Sequence, residues 1–115
     1  MLKSALKRFL TFPGVHTVLV IRSDGQVIEG MESGAAGQEQ LAAVVSFVMA
    51  ESQALAAKLS QARVLTVFVE FRNMMLASIP IKDDLFMVII TTPDANTGQI
   101  VYELKKSMPE IRSYL

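Results

Sequence analysis

Cysteine and tryptophan are absent from this 115-residue sequence, and histidine occurs once. Without cysteine there is no disulfide, thiolate metal site or thiol nucleophile, a composition compatible with the reducing cytoplasm. Neither sign of charge is in excess, since eleven basic side chains meet eleven acidic ones. That balance argues against a nucleic-acid-wrapping role, which needs a clear surplus of Lys and Arg on one face. Nothing approaches the ~18–20 uninterrupted apolar residues of a bilayer span, so stable membrane insertion is not expected. Lys7 and Arg8 stand where a secretory signal would carry its apolar run. What is plentiful is apolar side chain, at 51% with a mean hydropathy of +0.39. An ordinary soluble domain holds roughly 45–50% with glycine included, and a chain of this length has room for one domain, residues 1–115, around one core. The surplus is expected to meet another protein.

Leu2, Leu6, Phe9 and Leu10 repeat at helical spacing before Pro13-Gly14. Lys3, Lys7 and Arg8 make the outer side of that helix basic, and solvation is the expected fate of that side. Val15 to Arg22 reads as a strand that turns at Ser23-Asp24-Gly25 into a second one, Gln26 to Gly30. Met31 to Gly37 is small and glycine-rich, hence a loop. Gln38 to Ser60 holds no Pro or Gly and reads as one long helix. Leu41, Val44, Val45, Val48, Ser52, Leu55 and Leu59 form a stripe on it that is expected to lie on a sheet.

Three further strands follow. Val64 to Phe71 turns at Arg72-Asn73 into Met74 to Ile81, and Lys82-Asp83-Asp84 leads into Leu85 to Thr92. The last of these is apolar on both faces, which predicts a central strand with helices above and below. Ile100, Val101, Leu104 and Met108 mark a final helix, and Ser107-Met108-Pro109-Glu110 has the pattern of a separate terminal turn. The expected class is α+β, in the order α-β-β-α-β-β-β-α.

Sites for chemistry are scarce. His16 sits early in a strand with no ligand or nucleophile spacing around it. Asp83 and Asp84 are adjacent turn residues whose side chains diverge. Ser33-Gly34-Ala35-Ala36-Gly37 lacks the lysine of a phosphate loop, and Met74, Met75 and Met87 are expected in the core. No enzyme, metal or cofactor is predicted. The long helix is more informative. Opposite its expected core stripe lie Ala43, Phe47, Ala50, Ala54 and Ala57, with Glu51 and Lys58 beside them as a polar rim. Charges would be expected there in a monomer, so this face is predicted to bind a partner with Phe47 as its anchor. The flank Ala42, Ser46, Met49 and Gln53 is small and uncharged as well.

Gly14-Val15, Val18-Leu19-Val20, Ser23-Asp24-Gly25-Gln26-Val27-Ile28, Ile79-Pro80-Ile81 and Asp94-Ala95-Asn96-Thr97-Gly98 occur here in order. Together with the alanine-rich helix, over about residues 14–106, this set resembles the roadblock family of dynein light chains and their bacterial relatives. The resemblance implies a five-stranded antiparallel sheet with the long helix on one face and the terminal helices on the other. It also implies a homodimer made by pairing third strands and apposing long helices. Here that assigns Val64, Thr66, Phe68 and Glu70 to the paired edge and Ala42, Ser46, Met49 and Gln53 to the apposed helix flank. Bacterial members bind Ras-like small GTPases, and their gliding-motility regulator activates GTP hydrolysis; eukaryotic members are dynein light chains or scaffold subunits. The resemblance therefore implies a cytoplasmic regulator or scaffold of a Ras-like GTPase. A dynein light-chain-like structural subunit and a small-ligand sensor are the alternatives. Arg72 at a hairpin tip could act as an arginine finger, but surface charge on a turn is the expected role.

Overall fold

Two stretches apolar on both faces, β1 (Val15–Arg22) and β5 (Leu85–Thr91), form the centre of the molecule. The computed structural model describes residues 1–32, 37–61 and 63–115. In it β1 and β5 run side by side, antiparallel, with Val18 opposite Ile89 and Val20 opposite Met87. β2 (Val27–Glu32) flanks β1, while β4 (Met75–Lys82) and then β3 (Val67–Glu70) extend the sheet beyond β5. The sheet is antiparallel throughout, in the order β2-β1-β5-β4-β3. This is the expected α+β architecture.

Side chains alternate across the two central strands and fill two separate cores. Val18, Val20, Met87 and Ile89 point to one face, where α1 (Leu2–Lys7), a 3-10 turn (Arg8–Thr11) and α3 (Thr97–Ser113) add Leu6, Phe9, Leu104 and Ile111. Leu19, Ile21, Phe86, Val88 and Ile90 point to the other, under α2 (Gln38–Lys58). An ion pair between Arg8 and Glu110 ties the first helical segment to α3.

Local chemistry sets most of the boundaries. At the β1–β2 turn Gly25 has φ +90° and its N–H donates to the Arg22 carbonyl. A β-carbon there would meet Ala43 only at an ordinary contact distance of 3.4 Å, so it is the positive φ that calls for glycine. β2 runs on through Met31 and Glu32, two residues past its expected end, because Thr17 and Val18 of β1 still offer partners. Ser33 to Ala36, most of the expected loop and of its anion-site candidate, lie outside the described residues. α2 stops at Lys58, short of Ser60, in a Schellman-type cap. Ser60 takes φ +61°, its N–H donates to Ala57, and the Gln61 N–H reaches back to the Ala56 carbonyl.

Two departures trace to proline. The expected strand from Val64 is paired only from Val67, which lies opposite Ser78. Continuing that register would set Leu65 against Pro80, which has no N–H to give to the ladder. Pro109, in contrast, does not interrupt α3, which runs unbroken to Ser113. The proline leaves only the Lys105 carbonyl without its helical donor, on an exposed side open to water, while Met108 and Ile111 stay buried on the core side.

Candidate protein-binding surface

α2 has 21 residues and is long and apolar enough, by length and composition, to cross a membrane. Its packing shows a different use. Ala42, Val45, Ser46, Met49 and Ala56 are its buried residues, and Ala42, Val45 and Met49 pack on the sheet. The helix is therefore rotated from the expected setting. Of the predicted core stripe only Val45 is buried; Leu41, Val48 and Ser52 are half-buried, and Val44, Leu55 and Leu59 are exposed. Conversely, Ala42, Ser46 and Met49, expected on an open self-association flank, belong to the domain's own interior. Gln53, from the same flank, is half-buried.

The reason lies in size and hydrogen bonding. Small residues at Ala42 and Ser46 let the helix approach a sheet face already filled by Leu19, Ile21, Phe86 and Val88. The Ser46 hydroxyl donates to the Arg22 carbonyl at 3.1 Å, and the Gln53 side-chain carbonyl accepts the Val64 N–H at 3.2 Å. Both polar groups of the flank are thus committed inside the domain. A sequence signal for this did exist: a serine and a glutamine on an otherwise apolar helix face needed backbone partners.

The rotation leaves an apolar outer surface. Val44 is 62% exposed and Phe47 65%, in a row continued by half-buried Val48 and exposed Leu55. Ala43, Ala50 and Ala54 are exposed on the other side of Phe47, and the charged side chains of the helix, Glu39, Glu51 and Lys58, lie around them. The predicted partner-binding residues Ala43, Phe47, Ala50, Glu51, Ala54 and Lys58 are thus all at the surface together.

A second apolar element lies at the sheet edge. β3 pairs with β4 on one side and has no strand on the other among the described residues. Val67 and Val69 turn toward α2, so Phe68 and Glu70 turn to the opposite face, both exposed. Val64 and Thr66 are half-buried in the segment leading into β3. Leu65 and Phe71, not predicted as surface residues, are exposed beside them. The opposite edge differs. α1 packs along β2 there, so among the described residues it is the β3 edge that presents unpaired backbone next to exposed aromatic side chains.

These two surfaces belong to a fold with known relatives. The Roadblock/LC7 domain model matches residues 1–91. The chain belongs to the Roadblock/LC7 family. Among solved structures, a Roadblock/LC7 domain from Streptomyces avermitilis superposes with a TM-score of 0.89 at 15% identity, covering 96% of this chain and 94% of its own. Myxococcus xanthus MglB gives 0.89 at 16% identity over 98% and 94%. An MglB described with a tetrameric arrangement gives 0.87 at 22% identity over 96% and 84%. At such identities these likenesses establish the fold. No curated protein matches the sequence.

On this Roadblock/LC7 domain the chemical candidates stay apart from one another. His16 is half-buried with Nδ1 3.0 Å from the Thr17 hydroxyl. Asp83 and Asp84 are exposed at the β4–β5 turn, and Arg72 is exposed at the β3–β4 turn. Met87 is buried, whereas Met74 and Met75 are half-buried. No group of three potential metal ligands occurs among the described residues. A cleft of about 560 Å³ lies where Phe12 and Gly14 face the start of α3. Gly14 is required there, since it has φ +89° and an added β-carbon would come within 2.7 Å of Ala95 and Thr92.

Asp94, on the rim of that cleft, accepts the Thr92 hydroxyl at 2.6 Å. This bond, then a bond from its own backbone, holds the carboxyl below its ordinary value of 3.8. The sign follows: whatever stability this adds is present above 3.8 and is lost as pH falls through the depressed folded value. Carboxyl NMR should show Asp94 titrating below 3.8, and Thr92→Val should move the midpoint up.

Proposed function

We propose that the chain acts as one roadblock domain that pairs with a second copy and holds a Ras-like small GTPase on the outer face of α2, without a catalytic residue of its own. The observation that carries this reading is the exposure of Phe47 within an apolar helix face that the domain leaves uncovered. An exposed aromatic ringed by small residues has the chemistry of an interface anchor. The unprotected β3 edge supports self-association. Antiparallel pairing of two such edges satisfies their backbone groups and removes an aggregation hazard, and a two-fold contact of this kind closes on itself. In such a pair Val44, Leu55 and Leu59 take the place of Ala42, Ser46 and Met49 as the helix residues free to meet the partner. A cytoplasmic location goes with this reading, since a Ras-like GTPase is met there, and no cofactor is required.

The small-ligand alternative needed space between the sheet and α2, where Leu19, Ile21, Met49, Phe86 and Val88 are packed instead. Light scattering at micromolar concentration should give a mass of about 25 kDa, twice that of the chain. Immobilised protein should retain a Ras-like GTPase in one nucleotide state in preference to the other. A stable monomer refutes the pairing, and equal indifference to GTP- and GDP-loaded GTPases refutes the partner.

A further inference from the structure

The two faces of the sheet differ in charge as well as in hydrophobicity. α1, the 3-10 turn and α3 carry Lys3, Lys7, Arg8, Lys105, Lys106 and Arg112 against only Glu103 and Glu110. That is four net positive charges in the helical layer, of which Glu70, exposed on the same face of the sheet, offsets one. The two arginines are engaged, Arg8 with Glu110 and Arg112 through Nε to the Ile81 carbonyl at 2.7 Å. Lys3, Lys7, Lys105 and Lys106 are exposed and have no ion pair among the described residues. Tyr102, 63% exposed, lies one turn from Lys105 and Lys106 on the outward side of α3.

We propose that this lysine layer is a docking surface for an anionic lipid bilayer. The choice of a bilayer over an acidic protein follows from the kind of cation left free. Recognition of a carboxylate at a fixed position favours the planar fork of arginine, whereas four of the six cations here are lysines and each arginine is held through one nitrogen to a group of the domain itself. Long lysines spread over two helices, with a tyrosine among them, suit a planar surface of laterally mobile headgroups. The pairing proposed above, on which this next step rests, enlarges the effect. Antiparallel continuation of a sheet keeps like faces on the same side, so a dimer presents two lysine layers to one plane and both α2 faces to the opposite side. Bilayer and GTPase would then be held on opposite sides of one sheet.

The test is cosedimentation of the full chain with phosphatidylcholine vesicles with and without about 30% phosphatidylserine, alongside light scattering on the same sample. Binding is expected only with phosphatidylserine, and it should vanish near 0.5 M salt. Each lysine replaced by glutamine should weaken partitioning about fivefold, so K105Q with K106Q should weaken it at least about 25-fold. Those variants should keep the circular-dichroism spectrum and mass of the parent. No binding to the anionic vesicles at low salt overturns the proposal, as does binding that survives replacement of all four lysines. Retention on polyglutamate without vesicle binding overturns it in favour of an acidic polypeptide. A monomeric chain that still binds anionic vesicles through these lysines supports the docking surface and counts against the pairing alone.

Discussion

Met49→Ala is expected to cost about 2–5 kcal/mol of stability, which in a domain of this size lowers the melting temperature by about 10–20 °C. Met49 has no exposed surface and sits under α2 in the core formed with Leu19, Ile21, Phe86 and Val88. Truncation removes three heavy atoms from a space that the helix and sheet cannot close, since Ser46 and Gln53 fix the helix to backbone groups on either side. Against a total of about 5–15 kcal/mol for a typical domain, the loss is large. Val44→Ala, five residues earlier on the exposed row, should change stability by no more than about 0.5 kcal/mol. Thermal melts of the two variants measure the rotation of α2 directly. If Val44→Ala were the costly one, the helix would have its expected stripe on the sheet after all.

Phe47→Arg is expected to abolish GTPase capture while leaving the fold intact. At 65% exposure the ring contributes little to the domain's own core, so the melting temperature should stay within a few degrees of the parent. At an interface the same change replaces an apolar anchor with a charge that must be desolvated, and anchors of this type carry about 2 kcal/mol or more of binding energy each. Titrating immobilised variant with nucleotide-loaded GTPase measures the loss. Undiminished capture would remove Phe47 from the partner surface; unfolding would place it in the core.

The candidate surface was legible in the sequence to unequal degrees. Phe47 and its alanine neighbours stood out because a helix face without charges is unusual in a small domain, and all six predicted partner residues are exposed. Ala42, Ser46 and Met49, the expected self-association flank, are buried inside the domain instead. Periodicity measures which residues share a side of a helix, but α2 is apolar or small nearly all round, so period alone could not say which side meets the sheet. Bulk favoured Val44, Leu55 and Leu59. Close approach at Ala42 and Ser46 won, with Met49 filling the core between them and the sheet.

Local pattern is enough for the kind and order of the main strands and helices, though not for the break of the first helix into a 3-10 turn after Lys7. Two-residue alternation in β1 and β5, Asp24-Gly25 at the first turn and the Asn96 cap of α3, whose side chain accepts the Gln99 N–H, are signals that act over a few residues. The zero net charge of the whole chain conceals its distribution, and the expectation that no face carries a Lys and Arg surplus does not hold, because folding gathers α1 and α3, about a hundred residues apart, into one basic layer. Tertiary structure also decided the rotation of α2, the shortening of β3 opposite Pro80 and the passage of α3 through Pro109. In each case the deciding partner is distant in sequence or lies across a packed interface. Local pattern sets what an element is; the surface it packs against sets which of its sides is left for others.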